Sequence, residues 1–431
     1  MKRPAWFMLL GLALCIGLIY GWQRLEKEEF QPMVITRCLK PAAYNNALRG
    51  KLVLVPDKED NGKLLWEGGR YYGVFYGSMI YDLKSGNMTP LEERAYAGNF
   101  SSSPNGNWLA YEKVFVENEQ MTRLLSLLSY KGERREIALD ENFVLSSYNY
   151  YKTLLYWLNE NTLVFQEKRE GDLPVTVMFD INTGEIQKLV PEEYDEIIPL
   201  ENYWFWRAHH VVTYSPDMRR SLYLAETSVF LRTSTNLENI DRADLILYDN
   251  QHHRPLLRLR GLEGDDRPVY RWKNDSSGFF LAQNNLYDSP FHVSASRYSA
   301  DLWLIGKDGE MKLIFSKSFW PVYPYDSLYI EGFSPSPDGR ILEVRVGNWA
   351  GAILTDVDWL IVDSETGKFF DFCWAVSNHH PPIWSPNGQY IAFDPPENDV
   401  FGSSNRTMIL DLKRKAIYEI TNSYIPVGWL K

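Results

Sequence analysis

Cysteine is nearly absent. The 431-residue chain holds three, Cys15, Cys38 and Cys373, and no spacing among them suits a zinc site. Cys15 lies in an apolar run. Cys38 and Cys373 would pair if the mature part sat in an oxidising compartment, and would otherwise stay as two free thiols. Histidine is also scarce, at seven, and no His-Glu-x-x-His spacing occurs. Six of the seven come in adjacent pairs, among them His379 and His380. Neighbouring residues of a strand point to opposite faces, so such a pair cannot chelate one ion there. A Gly-x-Ser-x-Gly nucleophile elbow is missing, which argues against serine hydrolysis. Positive charge is in deficit, with 45 Lys and Arg against 56 Asp and Glu. A nucleic-acid binder needs a basic face to neutralise phosphates, so that class is excluded. Acidic groups such as Glu263, Asp265 and Asp266, or Glu397 and Asp399, lack the EF-hand pattern and read as solvated loop charge. No metal and no cofactor is expected.

Aromatic residues, by contrast, are plentiful. They make up 15% of the chain, with 15 Trp and 27 Tyr, and such residues favour strands. The amino terminus is different. Lys2 and Arg3 precede an apolar, uncharged run from Pro4 to Gln23. About 20 such residues span a bilayer as a helix. The positive flank should stay in the cytoplasm, leaving the rest of the chain outside, in a periplasmic or extracellular space. Residues 1–23 are therefore expected to be an uncleaved signal anchor, with a cleaved secretion signal as second choice. Residues 24–48 are polar and read as a tether.

From residue 49 to 431 one unit recurs. "FSPSPDGR" at 333–340 returns as "IWSPNGQY" at 383–390, and "SSPNGNWLAY" at 102–111 is a third copy. Weaker copies lie at 157–165, 214–225 and 272–282, so the six recur at intervals of about 49 to 63 residues. Proline presets φ for the turn, Asp or Asn tolerates the next position, and Gly takes φ > 0. Each turn thus joins two antiparallel strands. A second hairpin follows each, as in "MIYDLKSG" at 79–86 and "WLIVDSETG" at 359–367. Seven such hairpins occur against six turns. The strand after each turn, such as "YIAF" at 390–393, is apolar on both faces and must be sandwiched between neighbours.

The mismatch of six and seven has a resolution. "GKLVLVP" at 50–56 reads as the second strand of a first unit that lacks its innermost strand. "YIPVGWLK" at the far end can supply it. The expectation is an all-β fold: a single seven-bladed β-propeller whose first blade is closed by Pro426–Leu430, preceded by an N-terminal transmembrane helix. Closure removes the open sheet edge. The degenerate central copies leave six or eight blades as alternatives.

The Trp-Ser-Pro-Asx-Gly turn, the "YIAF" strand and the Asp-x-x-Thr-Gly hairpin resemble the TolB-type propeller repeat. That repeat occurs in periplasmic TolB and in the propellers of prolyl-oligopeptidase-family enzymes. The resemblance implies a fold and no particular activity. The extra α/β domain of TolB and the hydrolase domain of the peptidases are not expected here.

Long segments between second and third strands, at 226–244, 283–301 and 394–406, are candidate contact loops. Tyr287, Phe291, Tyr298 and Phe401 in them are candidate anchors, because aromatics are common in binding hot spots. His379 and His380 precede the last blade and belong to the same candidate set. The expected function is a membrane-anchored, extracytoplasmic binding or scaffold module for a protein or other envelope ligand, without chemistry. The alternative is a propeller enzyme acting on a glycan or similar envelope polymer. The two differ in whether carboxylates converge at the channel mouth.

Overall fold

In the computed structural model, the described residues are 34–42, 44, 48–56, 62–67, 70–117, 120–138, 143–144, 155–167, 175–189, 195–200, 203–232, 237–263, 269–283, 301–316, 328–350, 353–376, 381–396, 404 and 406–431. The apolar segment 1–23 lies outside them. Every regular element among them is a strand. The strands form seven sheets, and each sheet is one blade.

Blade one is closed as expected. Lys51–Pro56 lies between Tyr424–Leu430 and Met79–Asp82, antiparallel to both, and Met88–Pro90 completes the sheet. The ring is therefore joined by the two distant ends of the repeat region. Blades two to seven begin at the strands Tyr96–Ser102, Tyr156–Trp157, Tyr203–Tyr214, Val269–Trp272, Leu328–Pro335 and Ile383–Trp384.

What holds the ring is alternation on the second strand of each blade. Ile391 and Phe393 pack on blade six, whereas Ala392 packs with Leu52 and Leu54 of blade one. In the same way Phe279 and Leu281 face blade four, and Phe280 and Ala282 face blade six. Each of the seven blade interfaces carries its own apolar cluster. A blade alone would leave two apolar faces wet, so the blades fold as a ring.

Four of the six recurring turns share one construction. At Ser103, Ser215, Ser336 and Ser385 the hydroxyl donates to the Asx side chain two residues on. It also accepts the amide five residues on. The Asx oxygen accepts a further amide within the turn. The last turn position needs φ > 0, as at Gly106 (φ 67), Gly339 (φ 70) and Gly388 (φ 66). Blades four and five place Met218 and Ser276 there, at φ 60 and 58, which is why those copies are hard to see in the sequence.

Two features depart from the expected pattern. Residues 226–232 and 237–244 belong to two long paired strands, Arg220–Arg232 and Leu237–Asp249. The hairpin Gly62–Glu67 and Arg70–Tyr76, inserted in blade one, pairs instead with the first strand of blade two through Phe75↔Ala97 and Tyr76↔Tyr96.

Part of the region read as a tether is docked on the ring. Val34–Thr36 runs parallel to Phe369–Asp371 of blade six, and Pro41–Ala42 runs parallel to Ile417–Tyr418 of blade seven. Between them Cys38 and Cys373 form a disulfide. The Trp374 indole donates to the Leu39 carbonyl at 2.9 Å. This strap covers the outer edges of two blades, which would otherwise present unpaired backbone groups.

Candidate ligand-binding cavity

The first strands of all seven blades meet around one cavity of about 530 Å³. It lies on the ring axis, because residues of every blade line it: Phe100, Trp157, Tyr214, Arg271, Ser334 and Trp384 from blades two to seven, and Trp429 from blade one. The recurring turns gather at this end. Pro104, Pro216, Pro337 and Pro386 are all on the wall.

The turns also touch one another. The Asn274 amide donates to the Pro337 carbonyl at 2.8 Å, and the Asp217 amide donates to the Ser276 hydroxyl at 3.0 Å. A Cβ at Gly106 would sit 2.1 Å from the Pro386 ring. The Lys431 amide donates to the Gly106 carbonyl at 2.9 Å where blade one has no turn of its own. The six turns, four of them carrying a proline ring, thus form a collar around the end of the channel.

Tryptophans fix the wall. The Trp157 indole donates to the Ser101 carbonyl of the preceding blade at 3.0 Å, and the Trp384 indole donates to the Ser334 carbonyl at 3.1 Å. The Trp272 indole stands at the same place in blade five, yet its N–H has no partner. The strand it faces bulges between Val211 and Thr213, and a bulge re-aims the local backbone groups.

The wall chemistry is uneven in one place only. Two residues before each turn stand Ser101, Tyr156, Thr213, Arg271, Ser334 and Ile383. Arg271 is the one charged side chain among the described residues on the wall, and no Asp, Glu, His or Cys is among them. As a whole residue Arg271 is exposed along the wall, while its guanidinium, surrounded by protein, donates to the Tyr270 carbonyl at 3.0 Å. The mass of protein around it disfavours the charge. That burial, reinforced by the neighbouring Arg345, outweighs Tyr270 and Glu343 and moves its pKa below the usual arginine range. Burial pushes the Tyr156 hydroxyl up, with the Thr213 hydrogen bond opposing.

The sequence-derived anchors Tyr287, Phe291, Tyr298, Phe401, His379 and His380 lie outside the described residues. Of the other histidines, His252 sits on the outer turn of blade four, with Nδ1 2.9 Å from Asp249 Oδ2. Among the described residues no three His, Cys, Asp or Glu side chains group as a metal site would require. Arg271 was missed by the sequence reading. Its only signal was a basic residue two positions before a turn where the other copies carry hydroxyl, aromatic or aliphatic side chains.

No family model matches the chain, and no curated protein sequence matches it. Solved structures do resemble it. An oligogalacturonate lyase from Vibrio parahaemolyticus is 13% identical, with 86% of each chain covered and a TM-score of 0.43. An acylaminoacyl peptidase from Pyrococcus horikoshii is 12% identical, with 78% of this chain and 46% of that chain covered and a TM-score of 0.43. The β-propeller domain of the Trilobed protease from Pyrococcus furiosus is 12% identical, with 78% and 84% covered and a TM-score of 0.40. The assignment of a seven-bladed propeller rests on the seven sheets, the closing strand pair and the turns.

Proposed function

We propose that this chain is a membrane-anchored propeller held outside the cytoplasm, and that it binds a ligand of the cell envelope without altering it chemically. The observation that carries the reading is the axial cavity. All seven blades build it, and its described wall offers aromatic, prolyl and hydroxyl surface with one cation and no carboxylate. A glycan-cleaving propeller would need two carboxylates about 5 to 10 Å apart, and the described residues of this wall supply neither. The Cys38–Cys373 bridge supports an oxidising compartment. The apolar run after Lys2 and Arg3 supports an anchor with the ring outside.

The test has two arms. The full-length protein in detergent is mixed with envelope glycans, peptides and proteins, and mass spectrometry follows both what is retained and whether it changes. Retention without product is expected, and steady product formation would refute the binding reading. Protease added to intact cells should cut the ring region, and protection there would refute the location.

A further inference from the structure

We propose that the axial cavity recognises a small ligand by its oxyanion, a carboxylate or phosphate group on a flat apolar body, with Arg271 as the group that receives it; this rests on the binding reading above. Three features of the wall converge on that chemistry.

The first is an unbalanced cation. A guanidinium offers five N–H donors in a planar fork. Arg271 uses one contact, to the Tyr270 carbonyl, and forms no ion pair with any described carboxylate. The acid that acts on it electrostatically, Glu343, is fully buried in the second strand of blade six. There the Trp359 indole donates to Glu343 at 3.2 Å, and Arg345 stands 3.7 Å away. Glu343 is thus engaged by other groups.

The second is reinforcement. Arg345 lies close behind the same wall, with Nη2 2.2 Å from where a Cβ at Gly332 would be. Glycine at that position of the first strand leaves the space the guanidinium fills. Among the described side chains here, Arg271 and Arg345 stand against Glu343, and a bound anion offsets that excess of positive charge. Charge-assisted bonds to a fork of this kind are the stronger ones, and two-point contact fits carboxylate and phosphate alike.

The third is the rest of the wall. Trp157, Trp384, Trp429 and the turn prolines present rigid apolar surface on several sides. Pockets that are mostly apolar with a few placed polar groups suit a small molecule with one polar end. The collar of turns fixes this shape in advance, so little ordering is needed on binding.

The experiment uses the full-length protein in detergent and three probes of matched body: benzoate, phenyl phosphate and benzyl alcohol. Tryptophan fluorescence and ligand-observed NMR report binding, with detergent alone as blank. At least one anion should bind about tenfold more tightly than the alcohol, and Arg271→Gln should abolish that preference. Arg271→Lys, which keeps a charge without the fork, should keep part of it. Melting curves of both variants check that the ring is intact. A preference for benzoate identifies a carboxylate ligand, and a preference for phenyl phosphate a phosphate ester. Equal binding of alcohol and anions would overturn the inference. So would a preference that survives in Arg271→Gln, or no binding of any probe. These failures leave the wider binding reading standing if envelope material is still retained unchanged; retention with turnover would sink that reading separately.

Discussion

Removing the disulfide is the perturbation whose size can be worked out best. Cys38 and Cys373 are 335 residues apart in sequence. In the chain-entropy relation a loop of that length sets a ceiling of about 6 kcal/mol, and removal of native bridges costs about 2–5 kcal/mol in practice. Part of the strap remains without the bridge. The Arg37 amide still donates to the Asp371 carbonyl at 2.8 Å, and the Leu39 amide to the Phe372 carbonyl at 3.2 Å. These contacts act in the folded state, whereas the bridge acts mainly on the unfolded chain, so they do not replace it. A loss of about 4 kcal/mol is expected for Cys38→Ser/Cys373→Ser. With about 2.1 cal/mol/K of unfolding entropy per residue, that lowers the melting temperature by about 5 °C if the ring unfolds as one unit. The assay is thermal melting of the full-length protein, followed by tryptophan fluorescence, for wild type with and without reductant and for the double variant. Reduced wild type should match the variant. Coincident curves for oxidised wild type and the variant would refute the reasoning, because the bridge would then constrain nothing in the unfolded chain.

Other outcomes follow from the same geometry. Trp384→Phe should cost about 1 kcal/mol more than Trp272→Phe in denaturant unfolding, since only the Trp384 indole has a hydrogen bond to lose; equal costs would remove the role given to the inter-blade indoles. Gly106→Ala adds a Cβ 2.1 Å from the Pro386 ring at φ 67, whereas Gly184→Ala at φ 74 meets nothing within 4 Å. The second change should cost about 1 kcal/mol, from backbone strain alone, and the first clearly more. Similar melting points for the two variants would argue against the collar. The turn carboxylates Asp82, Asp180, Asp249 and Asp363 all sit below the usual Asp range. For Asp249 the His252 hydrogen bond leads, with backbone amides and Arg220 behind it, and the value is about 2. A depressed carboxylate contributes stability above its unfolded pKa of about 3.9, and that stability is lost as pH falls through the folded value. Unfolding midpoints should therefore fall between about pH 5 and pH 2, and Asp249→Asn should flatten part of that slope. A midpoint that does not change over this range would contradict the assignment.

Much of the ring is written locally. The turn Ser-Pro-Asx specifies its own hydrogen bonds, and four copies make the same set. The two-faced strands, such as "YIAF", announce that each blade needs a neighbour on both sides. The count of six turns against seven outer hairpins led to the closing strand, because an open edge is unfavourable. Blades four and five were harder to read, since Met218 and Ser276 take the left-handed position that glycine takes elsewhere. The hairpin at 62–76 was not legible at all: its partner, the first strand of blade two, is chosen by proximity in the ring.

The repeat, the turn chemistry and the closure of the circle could be read along the chain, because each depends on residues within a few positions of one another or on a simple count. Only the folded ring shows that Cys38 and Cys373, the pair the sequence offered, do meet, which wall each first strand presents to the axis, and that one arginine faces a cavity lined by no described carboxylate. These depend on residues brought together from seven blades, and spacing along the chain carries no information about a meeting on the axis.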